Sequence, residues 1–166
     1  MAEENENNEA AREAGTSPQF NIQRTYLKDI SFETPMGVKA FTIATFQPKI
    51  GLDVNTQAKV VGDNLHEVVL TITATARIDD EVVYLVELQQ AGVFSISGFP
   101  EDRLRVVLGT VCPNFLFPYA REAIDSVIIK GSFPALNMAP IDFDNIFNQA
   151  QQQAGDAEGG GEPTLN

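Results

Sequence analysis

The chain has 166 residues, a formal net charge of −12, 43 % hydrophobic residues, one cysteine, one histidine and no tryptophan. That length suits one domain with a packed core, and the acidic balance disfavours phosphate backbones and anionic membrane surfaces as partners while favouring a basic protein segment. Apolar runs fall short of the roughly 18–20 residues that span a bilayer, and the acidic start MAEENENNEA lacks the basic and apolar regions of a secretory signal. A cytoplasmic protein is expected, and Cys112 standing alone fits a reducing compartment.

The charge is uneven. Residues 1–14 carry −4 and residues 151–166 carry −3, which leaves −5 for the body. Residues 1–18, rich in Glu, Asn and Ala and ending at Pro18, read as a disordered acidic tail. Residues 154–166, with a glycine run and Pro163, read as a flexible C-terminal tail, and the folded unit is expected over residues 19–153.

Within the folded unit the hydrophobic period changes from two to 3.6. Phe20 opens an alternating segment that runs through Tyr26 towards Phe32, and Phe41–Phe46 reads as another strand, stopped by Pro48. Residues 66–78 alternate most clearly: Val68, Leu70, Ile72, Ala74, Ala76 and Ile78 fall on one face, with Glu67 and a run of threonines on the other. Asp79-Asp80-Glu81 then forms a polar turn into a return strand, Val82–Leu88, which makes the pair a hairpin. Four such strands without long crossovers predict an antiparallel sheet. The return strand is apolar on both faces, with Val83 and Leu85 opposite Tyr84, Val86 and Leu88, so its second face is expected to meet another subunit or a ligand.

Helices follow the strands. Pro100-Glu101-Asp102 marks a helix start, with acidic residues at the positive end of the dipole. From Leu116 a stripe of Ala120, Ala123, Ile124, Val127 and Ile128 predicts a helix capped near Gly131, with an irregular beginning around Pro113 and Pro118. A short amphipathic helix with Ile146, Phe147 and Ala150 follows Asp142. The order argues for an α+β fold, a four-stranded antiparallel sheet with two main helices on one face.

Chemistry is hard to find. Cys112 lies among Pro113, Phe115, Leu116 and Phe117, surroundings that quiet a thiol, and His66 sits on a strand face. No nucleophile-elbow, zincin, phosphate-loop or dinucleotide pattern occurs. Asp79, Asp80 and Glu81 read as a solvated turn, and a carboxylate-only cation site remains formally open. Neither a catalytic residue, a metal nor a cofactor is expected. What stands out is 11 phenylalanines, many near segment ends, which suit either a core or a groove for apolar side chains.

The stretch Cys112-Pro113-Asn114-Phe115-Leu116-Phe117-Pro118-Tyr119-Ala120-Arg121 resembles the signature of the SecB export chaperones, with further resemblance at Tyr26–Glu33, Leu85–Ile96 and Gly131–Pro140. It covers about residues 20–153. The resemblance implies a homotetramer built as a dimer of dimers, long apolar channels for non-native preproteins, and delivery of those clients to the SecA motor without ATP use by the chaperone. By position it implies SecA contacts at Asp29, Glu33, Leu85 and Glu87, meeting SecA's zinc-binding C-terminal tail. Phe46, Phe94, Phe99 and Phe133 are the expected client groove, and Val86 and Leu88 are assigned to the subunit interface or core. Many family members carry Trp before Gln-Pro where this chain has Phe46. A dedicated chaperone for one client such as an antitoxin, and an α+β small-ligand binder with a closed pocket, stand as alternative readings.

Overall fold

A computed structural model describes residues 17–158, so the expected tails lie outside it over positions 1–16 and 159–166. The described chain forms four strands, β1 (Gln19–Glu33), β2 (Lys49–Gly62), β3 (Leu65–Ile78) and β4 (Glu81–Ser97), followed by helices α1 (Glu101–Val106), α2 (Cys112–Lys130) and α3 (Phe143–Glu158). All strand pairs are antiparallel in the order β1-β4-β3-β2, leaving β1 and β2 as edges. Among the described residues no helix is long and apolar enough to cross a membrane.

The alternation of β3 does what its sequence says. Val68, Leu70, Ile72, Ala74 and Ala76 are fully buried, opposite Leu88 and Val86 of β4, and α2 covers this face with Leu116, Ala120, Ile124 and Ile128. A two-residue turn joins the strands, with Asp79 and Asp80 both at positive φ (47° and 65°), the geometry whose twist matches a hairpin. Glu81, expected in the turn, already pairs with Ile78 as the first residue of β4.

Three expectations are corrected. Phe41–Phe46 is not a strand: Gly37–Thr42 is a 3-10 helix, and the chain bends on to β2 beyond Pro48. The second strand is Lys49–Gly62, whose apolar alternation of Ile50, Leu52 and Val54 fades into Thr56 and Ala58 because an edge strand is covered weakly. Val83 does not occupy the open face. A bulge between its neighbours' pairings, Tyr84 with Ala76 and Val82 with Arg77, turns Val83 into the core beside Tyr84, and it is fully buried. Leu85 therefore remains as the half-exposed apolar residue of that pair, and the doubly apolar character of β4 largely disappears.

The helices also differ in detail. α1 does not stand apart; it runs through a π-turn over Val107–Val111 directly into α2. Pro113 has no N–H to give to the carbonyl four residues back and its ring crowds that carbonyl, so a widened turn just ahead relieves the conflict. α2 ends at Gly131, but its φ is −75°, and Ser132 takes the left-handed position at φ 66°. The N–H groups of Ser132 and Phe133 then close on the carbonyls of Ile129 (2.9 Å) and Ile128 (3.2 Å), a Schellman end. Gly131 is needed for closeness instead, since a Cβ there would collide with the Phe32 ring. α3 continues to Glu158, past the expected tail boundary at residue 154.

Candidate partner-binding surfaces

The sheet face away from α2 gathers the acidic candidates. Directly opposed residues of an antiparallel pair share a face, and the register sets Glu33 against Leu85, Ser31 against Glu87 and Asp29 against Gln89. All four expected SecA-contact residues thus lie together on adjacent strands, with Asp29, Glu33 and Glu87 exposed around half-exposed Leu85. Two bulges in β1, one between Ile22 and Arg24 and one between Leu27 and Asp29, set this parity. Further along the same face Tyr26 reaches over buried Ala91 and donates a hydrogen bond to Glu67, which also accepts one from Lys28 at 3.0 Å. These bonds, Tyr26's first, hold the Glu67 carboxyl below its ordinary pKa and raise that of the Tyr26 phenol.

The expected client-groove residues separate into two groups. Phe133, 5 % exposed, lies between the rings of Phe41 and Phe46, with centroids at 5.3 and 5.7 Å and near-parallel planes, and leans on Tyr84 at 5.2 Å. An open cavity of about 250 Å³ runs along this cluster. Phe46 and Phe133 are therefore brought together, and Phe41, not singled out from sequence, joins them half-exposed. Phe94 is elsewhere and fully buried, packed on Phe20 at 5.7 Å, and so offers no groove surface. Phe99 is partly buried against the core, away from the aromatic cluster's lining. Val86 and Leu88 are wholly enclosed by their own chain, which assigns them to the core and removes them as interface surface.

A larger opening was not legible from sequence. Between β2 and α3 lies a mostly apolar cavity of about 450 Å³, floored by Val54 and Ala58 and walled by Leu108, Ile146 and Phe147, with Arg105 at its margin. Ile50 and Leu52, 38 % and 45 % exposed on the same face of β2, continue the strand from this cavity back towards Phe46. The signal that would have found it is the Ile50-Leu52-Val54 alternation, which marks an apolar edge-strand face too weakly covered to be pure core.

The Cys112 thiol is buried, and desolvation pushes its pKa up to about 12, far from a nucleophile's range. His66 is buried on β3 opposite Phe94 and Val60. Among the described residues no cluster of His, Cys, Asp or Glu is arranged to hold a metal.

Comparison with known proteins accords with this anatomy. Residues 13–154 match the family model described as preprotein translocase subunit SecB. The protein-export protein SecB of Cellvibrio japonicus is 53 % identical over the whole of both chains. That of Marinobacter nauticus is 48 % identical over 92 % of this chain and 96 % of its own. Among solved structures, a SecB-like chaperone of Mycobacterium tuberculosis, solved in complex with a ChAD peptide from an antitoxin, shares the fold. Its TM-score is 0.59 at 14 % identity, covering 74 % of this chain and 88 % of the other. With most of its length matched by the family model and full-length relatives near half identity, the chain belongs to the SecB family of protein-export chaperones.

Proposed function

We propose that this SecB-family chaperone holds unfolded preproteins in the cytoplasm without nucleotide, keeps them competent for translocation, and passes them to SecA. The observation that carries the reading is the apolar track along β2. It starts at Phe41, Phe46 and Phe133, follows exposed Ile50 and Leu52, and enters the cavity beneath Ile146 and Phe147. From Ile50 to Ala58 an extended strand covers about 27 Å, room for some eight residues of an extended client. Such a surface takes apolar side chains without demanding a sequence, since burial is roughly proportional to area and non-directional. It is also open to solvent, which sets it apart from the enclosed pocket of a small-ligand binder.

The acidic group Asp29, Glu33 and Glu87 around Leu85 supports docking of SecA's basic, zinc-binding tail on the opposite face of the sheet. Charge of one sign around an apolar centre favours rapid, salt-sensitive association. That acidic set favours general export over service to one dedicated client. Assembly into a dimer of dimers is supported by apolar surface that the single chain leaves uncovered: Val111 at the end of the π-turn and Phe115 and Tyr119 on α2, at four-residue spacing, with Ile22 and Leu27 on the β1 edge.

The test combines both faces. A denatured, slowly folding preprotein is diluted into buffer without nucleotide, and aggregation is followed by light scattering with the parent protein, Asp29→Lys or Glu87→Lys, alongside SecA affinity. Suppressed aggregation by all three is expected, with SecA affinity lowered about tenfold in the variants at low salt and the gap to the parent narrowing as salt screens the parent's charges. Undiminished aggregation by the folded parent protein sinks the holding function. Equal loss of both activities in the variants sinks the separation of the two faces.

A further inference from the structure

The segment between Glu33 and Lys49 carries the chain from one edge of the sheet to the other. Its internal hydrogen bonds are local: the Gly37 N–H donates to the Thr34 carbonyl at 2.9 Å, and the Thr42 hydroxyl to the Lys39 carbonyl at 2.8 Å. Among the described residues, the hydrogen bonds that leave the segment belong to Lys39. Its Nζ donates to both carboxylate oxygens of Glu81, at 2.9 and 2.7 Å, where β4 begins. The rest of the attachment is apolar, through buried Ala40 and the stacking of Phe41 and Phe46 on Phe133.

Lys39 and Phe41 sit two residues apart in one short 3-10 helix, so displacing the first carries the second. In the position described, Phe133 is only 5 % exposed, with these two rings stacked on it and Tyr84 packed against it. We propose that Lys39 and Glu81 form a positioning pair that holds this segment closed over Phe133. Breaking the pair uncovers the ring and strengthens binding of extended apolar segments of non-native polypeptides. The proposal rests on the aromatic cluster being part of the client track. Both partners are well exposed, with side chains 62 % and 57 % accessible, so the attraction is weak and screened by salt. Weakness suits a fastening that must open, since a deeply buried pair would hold the segment shut. Salt leaves the aromatic stacking in place, and the segment therefore loosens at its charged end first.

The experiment compares the parent chain with Lys39→Glu, Glu81→Lys and the exchanged pair Lys39→Glu/Glu81→Lys. Hydrogen exchange over residues 36–46 reports opening, and fluorescence anisotropy with labelled, reduced and carboxymethylated α-lactalbumin reports binding of a permanently unfolded chain. Each single variant is expected to exchange faster in this segment and to bind the probe roughly two- to five-fold more tightly, the range an exposed ion pair commands. The exchanged pair is expected to restore both. Unchanged exchange in Glu81→Lys overturns the proposal, as does faster exchange that the exchanged pair fails to reverse, because local damage then explains it. Faster, rescued exchange with unaltered probe affinity overturns the gating through its premise, leaving the tether intact but removing the aromatic cluster from the client track.

Discussion

Glu67 illustrates how a single side chain on the open face links three strands. Its carboxylate takes a proton donor from Tyr26 across β4 and another from Lys28, while Ala91 beneath is small enough to let the phenol pass. Because its pKa is lowered by the Tyr26 hydrogen bond first and by Lys28 second, the folded state binds that proton less tightly than the unfolded one. The stabilisation is present above the unfolded value near 4.5 and is lost as pH falls through the depressed folded value. The raised Tyr26 pKa acts at the other limit, where stabilisation is lost as pH rises through the folded value. Glu67→Gln is expected to flatten the decline of urea stability below about pH 5 relative to the parent protein. An unaltered acid slope would place that dependence on other carboxylates.

At the scale of elements, the end of α2 shows close approach doing what capping alone would not require. Gly131 has an ordinary negative φ, while the strained position is borne by Ser132. The glycine is demanded by Phe32 of β1, whose ring occupies the space where a Cβ would stand. Gly131→Ala is therefore expected to cost about 1–3 kcal/mol through overpacking, read as a lower urea midpoint with an unchanged slope. A neutral result would mean that the Phe32 ring yields freely. The π-turn has a parallel role on the other side of the helix rod. Gly109 within it has no Cβ, and Phe147 of α3 packs onto the backbone there, which helps to set the wall of the larger cavity. Next in the chain, Asp125 of α2 accepts N–H groups from Leu136 (2.9 Å) and Asn137 (3.2 Å) and so fastens the link to α3 along the helix.

For the whole molecule, the two faces of one thin sheet differ in chemistry. The helix side buries the core and leaves an apolar track along β2; the other side presents charge and polar residues around Leu85. In the function proposed above, separation of this kind would let client holding and motor docking proceed without competing for one surface. Assembly belongs to this scale as well. Phe115 and Tyr119 are 47 % and 54 % exposed on α2, while Phe20 stacks on Phe115 at 5.6 Å and joins the stripe to β1. Phe115→Glu is expected to shift the mass measured by light scattering after size exclusion towards dimer or monomer, because a desolvated carboxylate opposes burial. A mass equal to the parent's, with the fold intact, would move the subunit contact away from this stripe.

Residues 66–78 and the stripe from Leu116 to Ile128 could be read unaided, because one element there has one buried face and its period reports that face directly. Asp29, Glu33, Leu85 and Glu87 were singled out by resemblance alone, and their proximity follows once β1 and β4 pair. Three things were decided only in three dimensions. Phe41–Phe46 alternates like a strand, yet β3 pairs with Lys49–Gly62, and the rings fold onto Phe133 from a connection instead. Val83 has the parity of the open face until a bulge, defined by its cross-strand neighbours, turns it inward. Phe94, Val86 and Leu88 are core because α2 and β1 close over them. Periodicity encodes that a face is buried; which partner buries it is a long-range choice, made by strand order, register and helix placement.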